Sequence, residues 1–266
     1  LGVNTPIGTD LLFTARDFPE LRIGVEICED LWVAIPPSCH QALAGATLLL
    51  NLSASNELVG KAAYRKNLVL NQSARCMAAY VYSSCGTGES TTDLVFGGHC
   101  MIAENGSVLA ENQRFSKSDS AIIGDVDLEK LVHERGVTTT WGDNACQEKN
   151  SFRQISFTLK GQGLISDQTL QLHREIIAHP FVPVNPAELD ARCREIFQIQ
   201  VTGLAKRLET LGNLPVTIGI SGGLDSTLAL IVATQAMQVL GRQASDIHGV
   251  TMPGFGTSTR TLQNAR

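Results

Sequence analysis

Two short stretches of this 266-residue chain carry residue types suited to chemistry. In the first, an apolar run over 21–27 ends at Cys28 and is followed by Glu29, Asp30, Leu31 and Trp32. A thiol on such a turn can stand exposed at a sheet edge, and a helix N-terminus just after it favours the nucleophilic thiolate. The competing reading is a buried strand cysteine. In the second, Thr217–Ile220 runs into Ser221-Gly222-Gly223-Leu224-Asp225-Ser226-Thr227. A loop between a strand and a helix N-terminus presents free N–H groups to an anion, and paired glycines allow close approach. Ser221, Ser226 and Thr227 add hydroxyl donors. No Gly-Lys-Ser/Thr follows, so the loop is not a Walker A loop. It suits a pyrophosphate group, with Asp225 reaching a bridging Mg²⁺. A plain strand-to-helix turn capped by Asp225 competes with that reading.

Groups of this kind need strand ends to hold them. Residues 21–27 and 47–52 read as buried strands, 61–79 as a helix and 80–85 as a strand. Leu94 to Ala103 and Val108 to Ala110 read as a hairpin, with Asn105-Gly106 supplying the turn. Ala121 to Val126 is expected as a further strand, with Asp127-Leu128-Glu129 opening a helix. The proline-rich "HPFVPVNP" at 179–186 reads as a linker. A long helix is expected from Pro186 to about Leu211, with Leu189, Cys193, Ile196, Ile199, Leu204 and Leu208 as its apolar positions. Strand 215–220, helix 225–240 and strand 247–252 then predict a parallel pair with a right-handed crossover.

Composition narrows the class. With 43% apolar and 18% charged residues the chain is globular, and its net charge of −5 gives no basic stripe for nucleic acid. No apolar run is long enough to span a bilayer, and no signal-peptide pattern stands at the start. Seven cysteines with no Cys-x-x-Cys pair are expected as reduced thiols in a cytoplasmic protein rather than as a zinc site. The chain opens on Leu1 and runs at once into core-like sequence, so it is expected to be a piece of something longer.

The Ser-Gly-Gly-Leu-Asp-Ser loop resembles the pyrophosphate loop of the N-type ATP pyrophosphatases. Two flanking segments, "RCREIFQIQVTGLAKRL" at 192–208 and "VTMPGFGTSTRT" at 250–261, are similar to bacterial NAD synthetase. From Leu21 to about Arg135 the chain resembles the second half of a nitrilase-superfamily glutaminase. The segments that carry this are "GVEICEDLW", "NLSASN", "SARCMAAYVYSSCGTGESTTDL", "GGHCMIAENGSVLAE" and "DVDLEKL". The two resemblances in this order imply the glutamine-dependent NAD synthetase family. The implied fold is α/β: the C-terminal part of a nitrilase-like αββα sandwich over 1–135, a linker over 136–185, and the start of a parallel-sheet, Rossmann-like ATP-pyrophosphatase domain over 186–266.

The resemblance also implies roles. Cys28 is the nucleophile that releases ammonia from glutamine, and Glu29, Ser55 and Lys61 fall where the family binds glutamine's α-amino and α-carboxylate ends. The family often has Arg at the last of these, and an ammonium lacks a bidentate grip. Ser221, Gly222, Gly223, Leu224, Asp225, Ser226 and Met252 fall on the ATP site, Thr257 and Ser258 by deamido-NAD⁺, and Asp225 on Mg²⁺. Glutamine, ATP and deamido-NAD⁺ are the implied partners, in a homo-oligomer. The family's glutaminase Glu and Lys both precede the cysteine, yet the 27 residues before Cys28 include no lysine. This chain is therefore expected to lack appreciable glutaminase activity. Two alternatives stay open: another glutamine-dependent amidotransferase using the same loop, or a stand-alone carbon–nitrogen amidase.

Overall fold

The computed structural model describes residues 6–159, 171–212, 214–255 and 258–265. The chain divides into two units, Leu1–Ile176 and Ile177–Arg266.

The first unit is built on one mixed sheet. Its strands are β1 (Leu11–Ala15), β2 (Arg22–Ile27), β3 (Leu48–Ser53), β4 (Ala79–Ser84), β5 (Cys100–Glu104), β6 (Ser107–Glu111) and β7 (Arg153–Phe157). They lie in the order β6-β5-β4-β3-β2-β1-β7. The central strands β2, β3 and β4 are parallel, so their C-terminal ends open on one edge of the sheet. Parallel strands need crossovers, and the chain supplies α1 (Pro37–Leu43) and α2 (Lys61–Arg75) as the two links. Leu49, Tyr80, Tyr82, Met101 and Ala103, all on one sheet face, share a buried core with Leu31, Ala42 and Val69. The opposite face receives α3 (Leu128–Val137): Leu128 and Leu131 pack on Ala79, with Leu48 beside them. Farther along that face Ile27 and Leu52 are 62% and 61% exposed. After α3 comes α4 (Thr139–Cys146), whose Trp141 lies under the Arg135 guanidinium at 4.6 Å.

Several expectations need revision here. The helix expected over 61–79 ends at Arg75, and Met77, at φ 42°, turns the chain into β4. The hairpin's first strand starts at Cys100 rather than Leu94, but its turn is as expected, with Asn105 and Gly106 both at positive φ. Residues 121–126 are not a strand. That stretch packs on the hairpin instead, with Gly124 against Ile102, Leu109 and Ala110, and no neighbouring strand pairs with it. Residues 136–185, expected as a linker, include α4 and β7, and β7 joins the sheet by pairing parallel to β1. The stretch also brings Arg174 onto the buried carboxylate of Glu104, at 2.7 and 2.9 Å. Strands β1 and β7 and helix α1 carry no strong sequence pattern and were not expected.

The second unit runs α5 (Pro186–Thr210), β8 (Val216–Gly219), α6 (Leu224–Val239), β9 (Ile247–Val250) and α7 (Thr259–Asn264). β8 and β9 are parallel, as the strand–helix–strand order requires, and α6 is their crossover. The core between α5 and α6 holds Val201, Ala205, Val232 and Ala236. Of the apolar positions expected on α5, Leu208 is buried but Ile196 and Ile199 are 50% and 65% exposed. Only the C-terminal half of the helix lies on α6, so the apolar stripe is used over part of its length. Among the described residues no helix is long and apolar enough to cross a membrane.

Candidate active sites

In the first unit, chemistry gathers at the C-terminal ends of β2 and β3. Cys28 follows β2 directly and opens a short 3-10 turn over Cys28–Trp32. Its φ of 53° lies in the left-handed region, a strained setting for a residue with a Cβ and one that clusters at functional turns. Neighbours hold it there. Asp30 accepts from the Ile27 N–H at 2.8 Å, and Asn51 Nδ2 donates to the Cys28 carbonyl at 3.4 Å. The backbone N–H of Ala54 donates to the Cys28 Sγ, also at 3.4 Å. A backbone donor beside the sulfur stands near the place where an oxyanion would form when that sulfur attacks a carbonyl carbon.

The residues expected around the thiol converge on it from three segments. Glu29 is exposed on the same turn, Ser55 is buried one residue beyond the Ala54 donor, and Lys61 opens α2. Lys61 Nζ donates to Asn56 Oδ1 at 2.7 Å and stands over the Trp32 ring at 5.4 Å. Burial, followed by the nearby Arg65 charge, holds its ammonium below the ordinary lysine range, against the pull of Glu57, Cys28 and Glu29. The site thus presents an apolar ring, an ammonium and a carboxylate around one sulfur.

Glu26, two residues before Cys28, is no base for it. That carboxylate is 2% exposed and turned into the core, where it accepts from the Ser38 N–H at 2.9 Å and from the Tyr80 hydroxyl.

Beneath the rim lies a polar network that sequence reasoning missed. Arg65, one helical turn beyond Lys61, is fully buried. It donates to Ser55 Oγ at 3.3 Å and Glu57 Oε1 at 2.9 Å, and its Nη1 lies 3.1 Å from His99 Nδ1. His99 Nε2 lies 3.0 Å from Glu111, and Arg114 pairs with the second oxygen of Glu57 at 3.0 Å. An isolated buried guanidinium is costly, so Glu57 is what makes Arg65 tenable. The available signal was the spacing of Lys61 and Arg65 along one face of α2.

In the second unit the glycine loop joins β8 to α6 at the C-terminal end of a parallel pair, where ligands of such sheets gather. Gly222 has φ 79°, and a Cβ there would come within 2.2 Å of the Thr261 carbonyl oxygen, so α7 fixes this position as glycine. The loop is held by its own hydroxyls. Ser221 Oγ accepts from the Gly223 N–H at 3.3 Å, and Ser226 and Thr227 both donate to the Gly223 carbonyl. These hydroxyls point back to the loop backbone and set its shape. A cleft of about 440 Å³ opens beside it, lined by Ser221, Gly223, Val250, Met252, Pro253 and Thr261 among others. Leu224 and Asp225 begin α6; both are exposed and lie outside that lining. Met252 is 81% exposed at the end of the adjoining strand. Ser258 caps α7, accepting from the Thr261 N–H at 3.2 Å. Thr257 lies outside the described residues.

Residues 3–133 match the carbon-nitrogen hydrolase family model, and residues 196–266 match the NAD synthase model. Over 267 residues the chain is 48% identical to the glutamine-dependent NAD(+) synthetase of Mycobacterium tuberculosis, covering 99% of this chain and 39% of that protein. The same enzyme of Mycobacterium leprae is 48% identical over 266 residues, covering 99% and 38%. That of Thermotoga maritima is 30% identical over 248 residues, covering 92% and 39%. The chain therefore spans about two fifths of the length of these relatives.

Proposed function

We propose, from a chain whose residues 3–133 match the carbon-nitrogen hydrolase family model and whose residues 196–266 match the NAD synthase model, that it carries parts of both active sites of a glutamine-dependent NAD⁺ synthetase. The observation that carries this reading is the 48% identity that runs across both units, in the same order, with enzymes of that name.

In the first site the Cys28 thiolate attacks the carboxamide carbon of glutamine. The C–N bond breaks as its nitrogen takes up the proton the thiol gave up, ammonia leaves, and water resolves the thioester to glutamate. The Ala54 N–H beside Sγ supports this role, since it stabilises developing charge. Lys61 takes the substrate α-carboxylate and Glu29 its α-amino group. Ser55, oriented by Arg65, closes the same end.

In the second site ATP lies along the glycine loop, its pyrophosphate portion on the N-terminus of α6 and its adenine near Met252. Thr257 and Ser258 lie by deamido-NAD⁺. The nicotinate carboxylate attacks the α-phosphate and releases pyrophosphate, which turns an inert oxygen into a leaving group. Ammonia then displaces AMP to give the amide. Among the described residues no cluster of three His, Cys, Asp or Glu side chains stands together. A Mg²⁺ that arrives with ATP needs only one or two carboxylates besides phosphate oxygens, and Asp225 in the first turn of α6 fits that requirement. Such an ion offsets phosphate charge. A homo-oligomeric, cytoplasmic enzyme completes the proposal.

The test is Cys28→Ala in the full-length enzyme, with NAD⁺ formation followed from either nitrogen donor. Synthesis from glutamine should fall by at least about a thousandfold, as for loss of a nucleophile, while synthesis from ammonium salts persists. Undiminished use of glutamine would reduce Cys28 to a core thiol.

A further inference from the structure

Away from both sites, two cysteines share a pocket. Cys39 lies in α1 and Cys76 caps the C-terminus of α2, so their thiols meet where the two helices converge. A single amide nitrogen, Nε2 of Gln72, lies 3.2 Å from the Cys39 sulfur and 3.3 Å from that of Cys76. Cys76 is buried and Cys39 half-buried, and both line an open pocket of about 660 Å³ that also receives Arg75, Lys149, His40 and Glu148. His40 and Glu148 pair with each other at 2.7 Å, while Arg75 places a positive charge close to Cys39.

We propose that Cys39 and Cys76 form a dithiol redox site that reacts with small anionic disulfides. The Cys39 thiolate attacks one sulfur of the incoming disulfide. A Cys39–ligand disulfide forms, the ligand's own S–S bond breaks, and one ligand thiolate departs. Cys76 then attacks the Cys39 sulfur, passes its proton to the departing second ligand thiolate, and leaves a Cys39–Cys76 bridge. The protein loses two electrons and the small disulfide gains them, so no further oxidant is required.

The order of attack follows from the pair's own chemistry. Cys76 is buried and its thiol donates to the Ser38 carbonyl at 3.7 Å; that neighbouring thiol, helped by Gln72 and Arg75 and opposed by burial, lowers Cys39 to about 6. The proximity of Cys39, together with burial, pushes Cys76 up. Cys39 is thus the attacking and Cys76 the resolving thiol. Arg75 and Lys149 supply the cations that an anionic disulfide such as oxidised glutathione would meet.

The experiment treats the full-length protein with oxidised glutathione at neutral pH and maps disulfides by peptide mass. Loss of two free thiols is expected, with a peptide linking positions 39 and 76. Cys76→Ser should trap one glutathione on Cys39, and Cys39→Ser should leave Cys76 unmodified. The exposed Cys146 and Cys193 serve as controls in the same digest. Modification of those two while 39 and 76 stay reduced in the wild-type protein would overturn the proposal, as would an adduct on Cys76 in Cys39→Ser. The wild-type map needs no variant to fold.

Discussion

At the scale of single residues, the fold acts on the charge of His99. Burial, against the raising hydrogen bond from Glu111, holds it below the ordinary histidine value. A histidine depressed in the native state binds more protons once unfolded. Stability is then full above the unfolded value near 6.5 and falls as pH drops below it. Burial opposes ionisation of Glu111, but hydrogen bonds from Lys66 and His99 outweigh it and hold that carboxylate low, so its own loss begins only below about 4.5. Between about pH 6.5 and 5 the His99 contribution to the unfolding free energy should therefore decline by up to about 1.4 kcal/mol per pH unit. His99→Gln should flatten that slope in urea titrations across the range; an unchanged slope would assign it to other groups. Cys28 and the glycine loop were legible from sequence because each ends an apolar run and breaks its pattern. Asn51, Glu57, Arg65 and His99 were not. Their hydrogen bonds join residues 8 to 34 positions apart, which no local periodicity records.

At the scale of elements, turn chemistry was the most readable signal and edge strands the least. Asn105-Gly106 announced the β5–β6 hairpin because both residues must take positive φ there. Gly106 is further confined, since a Cβ would sit 3.1 Å from that of Ala74 on α2. Gly106→Ala should cost about 1–3 kcal/mol, seen as a lower urea midpoint at constant slope, with no change in the Asn105 turn partner required. A neutral result would mean the hairpin closes by another turn. The apolar run at 121–126 misled because its composition is that of a strand, while in the fold it packs on the β5–β6 hairpin without taking strand geometry. Strands β1 and β7 escaped notice for the opposite reason. They pair with each other at one side of the sheet, and "RQISF" is too polar to signal a buried element.

For the molecule as a whole, the two units give the proposed reaction two addresses, and a change at one should leave the other working. Asp225 stands in the second unit and Cys28 in the first. Asp225→Asn in the full-length enzyme should lower ATP-dependent amide formation at least about tenfold, the loss expected for one charged ligand to a phosphate-bound ion. Glutamate release should continue. Parallel assays of glutamate and NAD⁺ decide it, and equal loss of both would remove Asp225 from the proposed metal position. The α/β class, the parallel crossovers and the order of the two units could be read from the chain; where the first unit ends could not. Residues 139–176 lack apolar patterning, yet they supply β7 and the Arg174 pair on Glu104.

The pairing of β7 with β1 also imposes a schedule. Thr14 and Gln154 hydrogen-bond across 140 positions, whereas β2 and β3 meet across a single short crossover. Closing the longer loop costs roughly 1.5 kcal/mol more in chain entropy, and it cannot begin until Arg153 has emerged from the ribosome. During translation the flank of β1 therefore waits with its backbone groups unpaired while the parallel centre of the sheet is already assembled. A nascent chain stalled before residues 153–157 have emerged exposes that flank to pairing with a neighbour on the same messenger, and one stalled after they have emerged can close it.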